Sequence, residues 1–285
     1  MLMFSRTSAY KHKRMERKIK KFRKTIWDYY RVRGRDFPWR RPARRGGTYD
    51  PYRILVSEIM LQQTQTGRVE WYYERFLKQF PNFKVLAKAP VRDVLRAWQG
   101  LGYNRRALSL KRTAEIVVKQ YGGKLPKDET LLIELLGIGP GTAGAIRAFA
   151  FNLPTVFIET NIRRVFICSF LSYKQKVSDK DIFPLIDKTL DAKNPREWYW
   201  ALMDYGSTLL TTSGAGKKIV NPNRKSAHYT KQSKFEGSNR QLRGRILRLR
   251  LANPKMSVAE MAEKAGWSVD RVVGVLSALK NEGLI

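Results

Sequence analysis

Two carboxylates stand where carboxylates need a reason. Glu58 lies in "DPYRILVSEIMLQQTQ", where Ile54, Leu55, Val56, Ile59, Met60 and Leu61 make an expected helix apolar on nearly every side. A charge there is expensive unless it is paired, protonated or in use. Glu159 lies in "FIETNIRRV", after an apolar run and just before Asn161, Arg163 and Arg164. Taken alone, Glu159 reads as an acid at a helix start, where the helix dipole favours its charge. Taken with Glu58 it makes a candidate pair, one carboxyl held protonated by burial and the other ionised. That division of labour suits cleavage of an N-glycosidic bond, which needs a protonated leaving base and a stabilised oxocarbenium-like sugar.

A third stretch, "LLIELLGIGPGTAGAIRAFAF", joins two apolar helices through Gly137-Ile138-Gly139-Pro140-Gly141. Glycines at this spacing let the backbone bend sharply and approach a ligand, while the amides opening the second helix point at an anion. The pattern reads as a helix-hairpin-helix, which grips a phosphodiester without reading sequence. An ordinary tight turn between helices is the alternative, and the positive charge of the chain favours the first reading.

The elements that must position these groups are helical. With 285 residues, 43% of them hydrophobic, the chain can bury one large core or two smaller ones. Period-2 alternation is scarce, so an all-α fold is expected. Asp50 caps a helix with Pro51 at its first position, and the helical run reads on through "GRVEWYYERFLKQF". Another helix starts near Pro90, "GLGYNRR" interrupts it, and "ALSLKRTAEIVVKQY" resumes. Residues 1–22 read as a basic N-terminal arm, 23–212 as the main domain, 213–238 as a polar linker and 239–285 as a small helical unit. In that last unit Ser257 and Glu260 spell a capping box and Ser268 opens a final helix. It reads as a helix-turn-helix or winged-helix-like module, or as a cap on the main body.

Charge narrows the partner. Fifty-six Lys and Arg against 24 Asp and Glu leave a net charge of +32, whose natural counterpart is a polyanion. Residues 1–46 alone hold 17 basic and 3 acidic side chains. Nucleic acid is the first partner expected, and an anionic membrane surface the second. The sequence has no apolar run of membrane-spanning length and no signal-peptide pattern, so no membrane association and a soluble, cytoplasmic setting are expected. One cysteine, Cys168, excludes an internal disulfide and any cysteine-held zinc or iron–sulfur site; it reads as a small core residue. No metal ligand set is expected.

Six stretches in this order, "FPWR", "SEIMLQQTQ", "GLGYN", "LLGIGPGTAGAI", "ETNIRRV" and "MDYGS", resemble the helix-hairpin-helix DNA glycosylases, most of all the MutY adenine DNA glycosylases, over residues 25–212. The resemblance implies a two-lobed all-α fold with its active site between lobes, double-stranded DNA as the partner, and a base flipped from the duplex; a monomer is expected. It implies Glu58 as the general acid with Glu159 as the second catalytic carboxylate. Gln62 and Gln63 are implied to probe the opened duplex, and Tyr103 to wedge into the base stack. Trp39, Arg40, Asn161 and Asp204 are implied at the base pocket, and Gly137, Gly139, Gly141 and Thr142 on the DNA backbone. Family members also hold a monovalent cation through hairpin carbonyls.

The departures are informative. Glu159 replaces the family's aspartate. Gly141 stands where lyase members carry lysine, so a monofunctional hydrolase is expected. The four-cysteine loop that should follow "MDYGSTLLTT" is replaced by "SGAGKKIV", so no cofactor is expected. The long domain that inspects 8-oxoguanine is replaced by the small helical unit. Adenine in a mispair is the leading substrate that the resemblance implies. Uracil or thymine opposite guanine, an alkylated purine, and a non-catalytic lesion or abasic-site binder are the rivals.

Overall fold

The computed structural model describes residues 3–43, 47–210 and 221–285. These residues form fourteen α-helices, and their β pairing is confined to an isolated bridge between Val177 and Ser226. The chain divides into two compact units: Met1–Phe37 with Pro140–Thr230, and Pro38–Gly139 with Lys231–Ile285.

The first unit contains α1 (Met3–Arg33), α8 (Pro140–Phe151), α9 (Thr160–Phe170), α10 (Asp179–Thr189) and α11 (Pro195–Thr208). Its core is aromatic. Phe22 of α1 meets Phe166, Phe170 and Trp198 at centroid separations of 5.4, 5.0 and 6.1 Å, and Phe157 meets Tyr199 at 4.2 Å. Arg23 donates to the carbonyls of Thr189 (3.0 Å) and Leu190 (2.6 Å), the orphan acceptors at the end of α10. Residues 3–22 are the start of one long helix, and Phe22 and Ile26 on the same face give that helix something to bury.

Two glycines set how closely these helices approach. A methyl at Gly206 would lie 2.5 Å from the carbonyl oxygen of Asn161, and one at Gly144 would lie 2.6 Å from Cβ of Phe157. Both positions therefore exclude any side chain, which accounts for the glycines in "MDYGS" and "GTAGAI". Part of the expected linker also packs here. Pro222–Lys225 forms a 3-10 turn against α9, and buried Asn223 donates to the Thr160 carbonyl at 2.9 Å. The Val177 amide donates to the Lys225 carbonyl and the Val177 carbonyl accepts from the Ala227 amide, both at 2.8 Å, around the bridge. The expected linker residues 213–220 lie outside the described residues.

The second unit contains α2 (Pro51–Leu61), α3 (Thr66–Gln79), α4 (Phe83–Lys88), α5 (Val91–Trp98), α6 (Arg105–Gln120), α7 (Glu129–Ile133), α12 (Asn239–Ala252), α13 (Val258–Ala265) and α14 (Val269–Asn281). Asp50 caps α2 by accepting from the Tyr52 amide at 2.9 Å, and Pro51 takes the first position. Leu55, Met60, Tyr73, Phe76 and Trp98 are fully buried. The helix expected to run on past Leu61 instead breaks at residues 62–65 and restarts as α3.

At the chain's far end the Ser257–Glu260 capping box closes, Gly266 terminates α13 in the left-handed conformation (φ 68°), and Ser268 stands at the N-cap of α14. Arg92 and Arg96 of α5 both donate to the Leu251 carbonyl at the end of α12, at 3.2 and 3.1 Å. Glu282 accepts from Arg105 and from Arg243 at 2.7 Å each.

Candidate functional site

Glu58 shares a helical stripe with Leu61 and Gln62, three and four residues on, and all three are half-buried. The stripe runs from the acid to the turn that ends α2. Glu58 is therefore less enclosed than its apolar neighbours in sequence suggest, because Ile54, Leu55, Ile59 and Met60 take the fully buried face. Trp39 and Arg40, in a 3-10 turn of the same unit, are buried, with Trp39 edge-on to Tyr73 at 5.6 Å.

Two loops beside this helix carry the residues expected to meet an opened duplex. Gln63 and Tyr103 both hold the left-handed backbone (φ 53° and 48°), uncommon for side chains of this kind. Gln63 is exposed, and Tyr103 is 39% exposed. In "GLGYN" Gly100 and Gly102 have φ of 99° and 73°, and a methyl at Gly100 would collide with the Tyr72 hydroxyl.

A residue that the motif reading passed over fixes both loops. Arg106, near the start of α6, donates to the carbonyls of Ile59 and Met60 at 2.9 Å each and to that of Gln62. It also reaches Thr64 Oγ1 at 3.0 Å and the carbonyls of Leu101 and Gly102 at 3.3 and 3.1 Å. Its guanidinium lies 5.3 Å from the Tyr103 ring centroid and 5.6 Å from that of Trp98. Burial lowers its pKa to about 10, which leaves it charged at neutral pH. The planar fork of arginine suits this task; the carbonyls ending α2 have no partner of their own within the helix. The hint in sequence was slight: an arginine immediately after "GLGYNR".

The hairpin follows α7, which Asp128 caps through the Leu131 amide at 3.1 Å. Gly137 has φ 83°, and a methyl there would stand 3.0 Å from Ser109 Cβ. The carbonyls of Leu136 and Gly137 accept from Thr113 Oγ1 (3.0 Å) and Gln62 Nε2 (3.2 Å). The boundary between the two units falls at Gly139 and Pro140. Gly139 and Gly141 are exposed, with Thr142 half-buried behind them in the first turn of α8. The first amides of a helix lack intrahelical acceptors, so this turn suits an anion.

In the first unit Glu159 is the N-cap of α9. One carboxylate oxygen accepts from the amides of Asn161 (2.7 Å) and Ile162 (2.8 Å), and the other accepts from Asn161 Nδ2 (3.3 Å). Burial pushes its carboxyl up from the ordinary range, opposed by those two amides and by the charges of Arg164 and Arg163. Asn161 is itself fixed, its Oδ1 accepting from Arg164 at 2.9 Å, while Arg164 also donates to the Gly206 carbonyl at 2.6 Å. Asp204 is fully buried and accepts from the Arg35 amide (2.8 Å) and Nε (2.7 Å). Glu58, Gln62, Gln63, Tyr103, Trp39 and Arg40 thus belong to one unit, and Glu159, Asn161, Asp204 and Thr142 to the other.

Cys168 is half-buried on α9, not enclosed in the core, and partial burial raises its thiol. A four-thiolate cluster has no donor set in a chain with one cysteine. Among the described residues no group of three or more His, Cys, Asp or Glu is placed to hold a metal ion, and no helix is long and apolar enough to cross a membrane.

Residues 56–187 match the HhH-GPD superfamily of base excision DNA repair proteins. An adenine DNA glycosylase of Mycobacterium tuberculosis is 31% identical over 265 residues, covering 85% of this chain and 82% of that protein. An adenine DNA glycosylase of Buchnera aphidicola is 37% identical over 197 residues, covering 67% of this chain; the match spans 54% of that relative's length. A thermostable thymine-DNA glycosylase of known structure superposes with a TM-score of 0.61 at 27% identity, over 70% of this chain and 91% of that one. The chain belongs to the HhH-GPD superfamily as a MutY-like member.

Proposed function

We propose that this protein is a DNA glycosylase that hydrolyses the N-glycosidic bond of a nucleotide extruded from duplex DNA, with adenine in a mispair as its substrate. The observation that carries the reading is the stripe linking Glu58 to Gln62, one turn from an acid to a loop held open by Arg106. Such an arrangement sets a proton donor beside residues able to occupy the gap left by a flipped base. Glu58 protonates the departing ring; Glu159, oriented by its own helix, meets the positive charge that develops on the sugar. The pocket roles of Trp39, Arg40, Asn161 and Asp204 follow the family pattern. The hairpin around Gly139, Gly141 and Thr142 takes one phosphate, and a monovalent cation would use the second lone pairs of its carbonyls. The protein acts as a monomer, without a redox cofactor.

The test is direct. Labelled duplexes carrying adenine opposite guanine or opposite 8-oxoguanine are incubated with the protein and treated with alkali. Adenine release is expected, and Glu58→Gln lowers it at least ~100-fold while DNA affinity is retained. Absence of product from every duplex, including those with thymine or uracil opposite guanine, overturns the enzymatic reading. With Gly141 in the lysine position, borohydride yields no trapped adduct; a covalent adduct would refute the monofunctional assignment. The likeness to a thymine-DNA glycosylase favours thymine opposite guanine as a second reading, and the same panel separates the two.

A further inference from the structure

The second unit holds a groove of about 1130 Å³ that includes none of Glu58, Trp39 and Arg40. One wall is made by the Gln62–Gln65 turn, the start of α3 and the Gly100–Arg106 loop; the other is made by residues 232–248 and the end of α14. Six arginines line it: Arg68, Arg105, Arg106, Arg240, Arg243 and Arg248. The single lining carboxylate, Glu282, is already held by Arg105 and Arg243. The groove is thus strongly cationic, and Arg68 and Arg248, neither of them bound to Glu282, are exposed. The walls meet at Tyr103, whose hydroxyl accepts from Gln232 and, at 3.2 Å, from Arg240. Phe235, 58% exposed, also lines the groove and offers a ring face.

Resting on the function proposed above, we propose that this groove binds the DNA strand opposite the excised nucleotide, its phosphates on Arg68, Arg240 and Arg248 and one base against Phe235. The ligand chemistry follows from the lining. Arginines spaced along a groove with an exposed aromatic suit a phosphodiester strand, since phosphates meet the cations and any base stacks on the ring. The strand follows from position. The target nucleotide goes to Glu58, which lies outside the groove. Tyr103 and Gln63 fill the gap it leaves, and both of them line the groove. The C-terminal helices are then the second wall of a strand-binding channel, and they hold the Tyr103 wedge in place.

The experiment uses the full chain. Affinity for a duplex with one central adenine–guanine mispair is measured against salt for the wild type and for the Arg68→Ala/Arg248→Ala double variant. Loss of two phosphate contacts makes the slope of log K against log[salt] shallower by about 2. Arg245→Ala, on the exposed side of α12 outside the groove, leaves the slope unchanged. An unchanged slope in the double variant, or an equal change in Arg245→Ala, overturns the proposal. In the wild-type protein, 5-iodouracil beside the mispair on the strand opposite adenine crosslinks to residues 231–248. Equal or stronger crosslinking from the adenine strand refutes the strand assignment. These readouts need no catalysis: a protein that binds with this footprint but releases no base would sink the glycosylase reading and leave the groove.

Discussion

The two units present their key polar groups by opposite means. In the first, Glu159 is oriented by the helix it begins: the partners of its carboxylate are the amides of Asn161 and Ile162 and the Asn161 side chain, two and three residues away. In the second, Gln63 and Tyr103 sit in backbone conformations unfavourable to them, and what holds their loops is Arg106, as many as 47 residues from the groups it binds. A local cap is cheap and self-contained. A remote clamp lets two loops be strained together, and makes both depend on one side chain.

Breaking the clamp should therefore have the largest effect. Arg106→Ala strands carbonyls in both loops and is expected to cost ~3 kcal/mol of stability, read as a lowered urea midpoint with faster amide exchange in residues 59–64 and 100–104. If exchange quickens in only one of these segments, the loops are not coupled through Arg106. Gly206→Ala should cost ~2 kcal/mol, because the added methyl meets the Asn161 backbone and not a movable side chain; a change in melting temperature of under a degree would show that α11 can shift freely.

Glu159→Gln tests the local cap and is expected to cost ~1 kcal/mol. It also tests a sign. A carboxyl raised by burial binds its proton more tightly in the folded chain, so its contribution to stability falls as pH rises from the ordinary carboxylate range through the raised value. The variant should flatten that slope, and a steeper fall with pH would reverse the assigned cause. The smallest effect belongs to Glu282, which Arg105 and Arg243 lower to about 2 from an ordinary 4.5. Its contribution is present above pH 4.5 and lost as pH falls towards 2, partly screened because Arg105 is exposed. Glu282→Gln should remove that acid-side loss; an unaltered acid midpoint would mean that the bridge between α6, α12 and α14 is energetically idle.

The same contrast explains what was legible in the sequence. Asp50 with Pro51 and the Ser257–Glu260 box act within four residues of themselves, and each of them, like Ser268, marks the start of the helix that its pattern implies. The all-α class followed from the same local signals. The break after Leu61 left no such mark, since "QQTQ" has neither glycine nor proline; it forms because Arg106 binds the carbonyls there. The start of the first helix is hard to read for a related reason, since its dense charge gives little sign of the partners on which Phe22 docks. Glu58 and the hairpin glycines stand out in the sequence because their residue types are unusual for their surroundings. Arg106 does not, because an arginine in a basic chain is unremarkable until its acceptors are known.

Both units are assembled from pieces distant in the chain. Arg23 finds its acceptors 166 residues ahead, and Arg105 meets Glu282 177 residues ahead. During synthesis the long first helix must therefore wait for α9–α11 before its aromatic face is covered, and α5 must wait a similar span, 155 to 159 residues, for the end of α12. The emerging chain carries exposed apolar surface for most of its passage from the ribosome. Its high positive charge then has a second consequence: the unfinished pieces repel one another, and premature association is suppressed until the last helices arrive.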